Sequence, residues 1–233
     1  MERSRESVLE NLATIRRRLA EACERGGREP GSVRLVAVGK WVEAGALGWV
    51  REAGVEDLGE NYVRELRAKR DEVSEATWHF VGVLQASGAH HVAELADVVQ
   101  TVVPGKASAR LARRTDDRGR SMPSLVEVDF TGERTGVAPD EVMEACDEVA
   151  GTRGLELRGL MTLPPVTPSA EGARPYFRRL RELRDAVAER HPEAVELSMG
   201  MSLDYEVAVE EGATMVRIGT ALFGPRPSDQ GRT

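Results

Sequence analysis

Short apolar runs alternate with longer amphipathic stretches along most of the chain. In the first amphipathic stretch, four apolar residues recur at helical spacing between arginines and glutamates: Val8, Leu12, Ile15 and Leu19. This spacing predicts a helix, which the segment RGGREPGS ends. A later stretch, ARPYFRRLRELRDAVAER, has the same period, and Pro175 suits its first turn. The amphipathic stretches are therefore predicted to be helices.

The apolar runs are predicted to be strands, and there are eight of them. They are VRLVAVGK (33–40), VEDLG (55–59), WHFVGVL (78–84), VVQTVV (98–103), SLVEVDF (124–130), LELRGLMTL (155–163), AVELSMG (194–200) and MVRIGTALFG (215–224).

Eight strand–helix units predict an α/β fold in which parallel strands close into a single (β/α)8 TIM barrel. A doubly wound open sheet is the competing fold, but no G-x-G-x-x-G follows the first strand. No linker divides the chain, so residues 1–233 are expected to form a single domain. Residues 1–28 would then form an extra helix that caps one end, and residues 225–233 a disordered tail.

Composition excludes several classes of function. The chain of 233 residues is 41% apolar and 30% charged, as is typical of a globular protein. A formal net charge of −7 argues against a nucleic-acid partner. Cys23 and Cys146 have no metal or redox spacing, and no apolar run approaches the length of a membrane span. These features predict a cytoplasmic protein without membrane association. A monomer is expected, because no exposed apolar seam stands out.

The carboxyl ends of the strands are where a barrel of this kind builds its site. Lys40 ends the first strand, in a chain whose only other lysines are Lys69 and Lys106. Polar or small residues follow other strands too. The histidines offer no ligand spacing, and no metal site is predicted. Polar groups are therefore expected to converge at one face.

The last two strand exits predict an anion site. The segment SMGMSLDYEVAVEEGA places Ser202 directly before a helix, where backbone N–H groups point outward. The neighbouring RIGTALFG contributes Gly219, which permits a close backbone approach, and the Thr220 hydroxyl. Phosphate sites at these exits recur in such barrels.

A phosphate site and a lysine at the same face together suggest pyridoxal 5′-phosphate (PLP). Its aldehyde condenses with a lysine amine, so Lys40 is the predicted Schiff-base residue. Arg217 would lie near the pyridine nitrogen and keep it unprotonated, which weakens the ring as an electron sink. Each residue also has a structural alternative: Lys40 as a solvated strand end, SMGMS as a helix cap and Arg217 as part of an ion pair.

Several segments closely resemble the pyridoxal phosphate homeostasis proteins, also called the YggS/PROSC family. They are GENYVREL, WHFVGVLQ, LRGLMTLPP, ARPYFRRLRELRD, LSMGMSLDYEVAVEEGATMVRIGTALFG and the strand that ends in Lys40. The resemblance spans roughly residues 5–226 and implies a barrel of the alanine racemase N-terminal type. It implies a protein of intracellular vitamin B6 homeostasis without robust catalytic activity, with apo PLP-dependent enzymes as recipients of the cofactor.

The resemblance also implies a role for individual residues. By this match, PLP is attached to Lys40, Asn61 lies beside the cofactor, and Arg217 faces the ring nitrogen. The residues implied to bind the phosphate are Ser198, Ser202, Gly219 and Thr220. The residues implied to shape the pocket wall are Met199, Gly200 and Met201.

The chain departs from the family at Gly39, Val83 and Arg134 and in the segment 86–88, all near the pocket mouth. A PLP-dependent amino-acid racemase, or a weak side activity of that kind, is the alternative function, because that chemistry uses the same barrel and the same arginine. Racemisation needs an acid/base opposite the lysine, and none of the three tyrosines, Tyr62, Tyr176 and Tyr205, is an obvious one. The sequence therefore favours a cofactor-binding protein, and a purely structural role explains none of the residues at the strand exits.

Overall fold

The computed structural model describes residues 4–225, in which eight parallel strands form one closed barrel in chain order. The strands are β1 (Arg34–Val38), β2 (Asp57–Glu60), β3 (Thr77–Phe80), β4 (Val98–Val102), β5 (Met122–Val128), β6 (Leu155–Thr162), β7 (Glu196–Ser198) and β8 (Met215–Ile218). The barrel closes where β1 pairs with β8, with Val36 opposite Arg217. The predicted barrel fold is confirmed.

Nine α-helices lie in the described part of the chain, and most of them connect successive strands. The helices are α1 (Arg5–Arg25), α2 (Ala44–Glu52), α3 (Val63–Glu72), α4 (Ala89–Leu95), α5 (Lys106–Asp116), α6 (Val142–Gly151), α7 (Arg174–Arg190), α8 (Tyr205–Glu210) and α9 (Thr220–Phe223). A 3₁₀ turn, Ala170–Ala173, precedes α7.

The last apolar run contains a strand and a helix, whereas the sequence predicted one strand over 215–224. The strand ends at Ile218, and the N–H groups of Leu222 and Phe223 donate to the Gly219 carbonyl. Both side chains are buried. A short helical turn therefore buries the same apolar residues that an extended strand would have buried. The predicted disordered tail lies, apart from Pro225, outside the described residues.

The amino-terminal helix α1 packs against α2, α8 and α9. Its apolar stripe, which includes Val8, Leu12 and Ile15, is buried. Helix α9, which follows β8, has only four residues. Helix α1 therefore occupies the position between α8 and α2. We expected α1 to cap one end of the barrel, but these contacts place it in the outer helical layer.

Side chains along each strand alternate between the barrel interior and the layer beneath the helices. On β1 and β8, for example, Val36 and Met215 pack in a small interior cluster, whereas Ala37 and Val216 belong to the main core. Arg217 follows the same alternation and lies inside the barrel. The barrel interior is therefore partly polar near the carboxyl ends of the strands.

Among residues 4–225, no group of three or more His, Cys, Asp or Glu side chains could hold a metal ion. In the same range, no helix has both the length and the apolar character needed to cross a membrane.

Candidate cofactor site

The predicted site residues come from four neighbouring strands of the closed barrel, in the order β7, β8, β1 and β2. Lys40 follows β1, and Asn61 follows β2. Arg217 lies on β8, and the segment 198–202 and the pair Gly219 and Thr220 extend from β7 and β8. Barrel closure therefore joins residues from the two ends of the chain at one mouth.

Lys40 is half-buried in the turn that directly follows β1. The turn is tight, because a Cβ added to Gly39 would lie 2.8 Å from a Leu47 methyl and 3.3 Å from Glu60 Oε1. Trp41 has a φ of 63°, in the left-handed region that an L side chain rarely adopts. Its ring packs against that of Tyr62, with centroids 5.6 Å apart. Glycine at position 39 and this strained tryptophan thus shape the turn that carries Lys40.

Asn61 follows β2 directly, and its backbone N–H donates to Glu60 Oε2 over 2.9 Å. Its side-chain Oδ1 is buried and has no hydrogen-bond partner among residues 4–225. A buried amide oxygen without a partner is costly, so it points to a ligand that would donate to it. Gly82 is required beside it, because a Cβ there would lie 2.0 Å from the Asn61 carbonyl oxygen.

Arg217 is 4% exposed and is fixed from two sides. One Nη donates to Ser198 Oγ, and the other donates to the Thr162 carbonyl over 2.8 Å. Burial lowers the pKa of Arg217 to about 10, and the negative charges of Glu127 and Asp204 oppose this change. The guanidinium is therefore charged at neutral pH and has a fixed orientation inside the barrel.

Ser198 was predicted to bind the phosphate, but its hydroxyl is used inside the barrel. It accepts from Arg217 and donates to Gln100 Oε1 over 2.6 Å. The residue is completely buried. The donor and one of the two acceptor lone pairs of the hydroxyl thus hold Arg217 in place, and its role toward the phosphate stays a prediction.

The hydrogen bonds from Arg217 continue across the interior to the far side of the barrel. Beyond Ser198, Gln100 Nε2 lies 2.8 Å from His79 Nδ1, and His79 Nε2 lies 2.7 Å from Asp57 Oδ1. With Gln100 donating to Nδ1, the His79 proton resides on Nε2 and is donated to Asp57. Strands β8, β7, β4, β3 and β2 are thereby connected through their inward-facing side chains.

The predicted phosphate wall is formed where the exits of β7 and β8 meet. The Ser202 hydroxyl accepts from the Ala221 N–H over 3.0 Å, which ties the two segments together. Gly219 lies against β1, since a Cβ there would be 3.2 Å from the Val38 carbonyl oxygen. Thr220 is exposed at the start of α9. The wall thus lies beside the strand that carries Lys40.

The three residues predicted to shape the pocket wall differ in position. Gly200 has a φ of 92°, and a Cβ there would meet the Ala208 Cβ at 2.5 Å, so a side chain does not fit. Met201 is half-buried, and its N–H donates to Asp204 Oδ1 over 2.7 Å. Met199 is completely buried in the main core. The Met199 side chain packs in the core just after β7, and its part in the pocket wall stays a prediction.

Glu127 on β5 is a further residue of the interior, and it was not among the residues predicted from the sequence. It is 5% exposed, and its Oε2 has no hydrogen-bond partner within the described chain. Burial raises the pKa of the Glu127 carboxyl to about 7, and the positive charge of Arg217 acts in the opposite direction. An acidic residue within the apolar run SLVEVDF was the available signal, because strand alternation would place it inside the barrel.

These groups match the chemistry that PLP requires. Lys40 supplies a primary amine, Arg217 a fixed positive charge, and Ser202 and Thr220 supply hydroxyls. Asn61 Oδ1 and Glu127 Oε2 are buried polar atoms that lack partners among the residues described. We therefore conclude that the residues present fit the cofactor.

A family profile described as alanine racemase, N-terminal domain, matches residues 10–227. The pyridoxal phosphate homeostasis protein of Aquifex aeolicus is 36% identical over 225 residues, which cover 94% of this chain and 99% of that protein. The protein of the same name from Pseudomonas aeruginosa is 37% identical over 227 residues, covering 94% of this chain and 96% of that protein.

Solved structures show the same similarity. PipY from Synechococcus elongatus, solved with PLP bound, has a TM-score of 0.82 and 32% identity, covering 93% of this chain and 100% of PipY. An alanine racemase from Clostridium difficile has a TM-score of 0.76 at 14% identity, and the match covers 96% of this chain and 58% of that enzyme. The racemase comparison concerns the fold alone.

Proposed function

Because the chain belongs to the pyridoxal phosphate homeostasis protein family, whose barrel is that of the alanine racemase N-terminal domain, we propose that it binds PLP and maintains the supply of that cofactor. One observation carries the proposal. The adjacent exits of β7, β8, β1 and β2 unite a lysine, a fixed guanidinium and a hydroxyl-bearing wall at one mouth.

Each residue has a proposed role toward the cofactor. PLP supplies an aldehyde that condenses with a primary amine, and Lys40 would provide that amine. Arg217 would face the ring nitrogen, and Asn61 would accept a hydrogen bond through its buried Oδ1. Ser202, Gly219 and Thr220 would bind the phosphate. Because the charged guanidinium of Arg217 keeps the ring nitrogen unprotonated, the site favours retention of the cofactor over carbanion chemistry.

Reduction with borohydride tests the assignment of Lys40. Treatment of the PLP-loaded protein followed by peptide mass mapping is expected to find the pyridoxyl group on Lys40. Lys69 and Lys106 are internal controls, since they are the only other lysines in the chain. A label found mainly on either of them would contradict the proposal.

A carrier role is the finer part of the proposal, with apo PLP-dependent enzymes as the recipients. The experiment compares the rate at which an apo-enzyme gains activity from the loaded protein with the rate of spontaneous PLP release. Transfer faster than release would support a carrier. Transfer at the rate of release would contradict the carrier role and leave a buffering role.

An amino-acid racemase is the second candidate, and Glu127 is the observation that favours it. A carboxyl with a pKa of about 7 is suited to proton transfer near neutral pH. Incubating the loaded protein with single L-amino acids and measuring the D-forms distinguishes the two functions. Turnover above about 1 per second would favour an enzyme.

A further inference from the structure

Lys69 on α3 is the second lysine associated with the Lys40 turn, and it is buried. Its Nζ donates to the Gly39 carbonyl over 2.8 Å, to Glu65 Oε2 over 2.7 Å and to Glu60 Oε1. The residue is 6% exposed, and Glu60 is completely buried. An ammonium group has three donors, so these three acceptors use all of them.

The two glutamates connect the Lys69 ammonium to the segments that carry Lys40, after β1, and Asn61, after β2. Glu65 Oε2 also accepts from the Trp41 N–H over 3.1 Å. Glu60 Oε2 accepts from the Asn61 N–H over 2.9 Å. The cluster of Lys69, Glu60 and Glu65 therefore contacts the backbone on both sides of Lys40 and the backbone of Asn61.

The turn around Lys40 needs such contacts because its backbone is strained. A tryptophan at a φ of 63° is in a conformation that an L residue occupies at a cost. Strained conformations persist only where the surroundings determine them. The cluster provides this determination, since it contacts the residue before Lys40 through Gly39 and the residue after it through Trp41.

Stability alone is a weak explanation for the cluster. Buried ion pairs often contribute no more to stability than apolar residues of the same volume, because both charges lose their hydration. Burial raises the pKa of the Glu60 carboxyl, which reflects this cost, and the positive charge of Lys69 opposes the rise. A cluster that is costly to bury yet joins the exits of β1 and β2 at the mouth is suited to fixing geometry.

We propose that Lys69, with Glu60 and Glu65, is a positioning residue that fixes the turn of Lys40 for covalent attachment of PLP. This inference rests on the proposed function. In the attachment, the Lys40 nitrogen forms a C=N bond with the aldehyde carbon, and the aldehyde oxygen leaves as water. The rate depends on where Lys40 lies relative to the bound ring, so a displaced turn slows attachment and leaves the phosphate wall intact.

The test uses the double variant Lys69→Met/Glu60→Gln and the single variant Glu65→Gln. The double substitution removes both charges of the buried Lys69–Glu60 pair, and the glutamine can still accept the Asn61 N–H. The partly exposed Glu65 loses Lys69 but still accepts from the Trp41 N–H. Lys106→Met is the matched control, because Lys106 is an exposed lysine on α5. Thermal unfolding of each apo-protein identifies any variant that fails to fold.

Two readouts separate positioning from general damage. The rate of covalent attachment is measured with PLP, and non-covalent affinity is measured with 4′-deoxypyridoxine 5′-phosphate, which lacks the aldehyde. The double variant is expected to attach PLP about tenfold more slowly or worse. Its affinity for the deoxy analogue should stay within about threefold of the original protein, and Glu65→Gln should show a smaller slowing.

Attachment at the original rate in both folded variants would overturn the inference. An equal loss for PLP and the deoxy analogue would also overturn it, since that result indicates a structural role alone. If the unsubstituted protein carries no label on Lys40, the proposed function itself has failed, and this outcome is visible before any variant is compared. Should the double variant not fold, Glu65→Gln decides between the outcomes.

Discussion

At the scale of single residues, Glu127 has the environment with the clearest consequence for pH. Its carboxyl is 5% exposed, and burial raises its pKa from 4.5 to about 7, against the influence of Arg217. The other charged groups acting on it are Asp129 and Arg134. Because the folded state binds this proton more tightly than the unfolded chain, the stability from it is complete below pH 4.5 and is lost as the pH rises through 7.

We predict that Glu127→Gln stabilises the apo-protein more at pH 8 than at pH 5. The free energy of unfolding of the variant, relative to that of the original protein, should be higher at pH 8 than at pH 5 by up to about 3 kcal/mol. Glutamine fills the same volume and carries no charge, so the cost of ionising a buried carboxyl disappears. Urea denaturation at pH 5, 6, 7 and 8 measures the change. Glu189→Gln is the control, because Glu189 is exposed on α7. A difference that does not depend on pH would contradict the buried-carboxyl interpretation.

The site residues differ in how well a sequence can reveal them. Lys40 and Gly219 follow from strand exits, and the structure brings them to neighbouring strands. Ser198 and Met199 were placed by resemblance to a motif, and the structure puts the Ser198 hydroxyl against Arg217 and the Met199 side chain in the main core. The hydrogen-bond partners of the Ser198 hydroxyl lie on other strands, so the residues next to Ser198 in the sequence do not reveal them.

At the scale of helices and strands, periodicity predicted the number and type of elements better than their ends. Each of the eight apolar runs overlaps a strand, but the run at 78–84 is extended only as far as Phe80. In the final run, helix α9 begins two residues after β8 ends. A short apolar run can bury its side chains either as a strand or as one helical turn. Tertiary contacts therefore decide where the strand ends and the helix begins.

A buried glutamate at the end of α8 joins two helices of the outer layer. Glu211 Oε1 accepts from Arg174 over 3.1 Å and from Arg178 over 3.0 Å, and Oε2 lies 3.3 Å from Arg181. Glu211 is 4% exposed. Burial tends to raise the pKa of its carboxyl, but hydrogen bonds from Arg178 and Arg174 outweigh burial and lower it.

We predict that Glu211→Gln lowers the free energy of unfolding at pH 7 by about 1–3 kcal/mol, because three guanidinium groups lose their shared carboxylate. The pKa of Glu211 in the folded state lies below its ordinary value. The difference in the free energy of unfolding between variant and original protein should therefore shrink as the pH falls through that folded-state pKa. Glu21→Gln is the matched control for an exposed pair with Arg17 and should cost less than about 0.5 kcal/mol. Equal effects of the two substitutions in urea denaturation would contradict a special role for Glu211.

At the scale of the whole molecule, closure of the barrel creates the site. Lys40 and Asn61 lie in the first third of the chain, and the segment from Ser202 to Thr220 lies near its end. Pairing of β1 with β8 makes these segments neighbours. Cofactor binding should therefore be coupled to global folding, since an unfolded chain cannot bring the lysine, the guanidinium and the phosphate wall together.

We predict that PLP at 100 times its dissociation constant stabilises the protein by about 2.7 kcal/mol, which corresponds to an upward shift in Tm of about 5–10 °C for a chain of this size. Lys40→Ala and Ser202→Ala should each reduce this shift at the same PLP concentration, because one removes the covalent link and the other a hydroxyl of the wall. Ser121→Ala, exposed just before β5, is the control and should retain the full shift. Thermal unfolding with and without PLP measures all four proteins. An equal shift in all of them would mean that PLP binds away from the barrel mouth, and would contradict the site that closure creates.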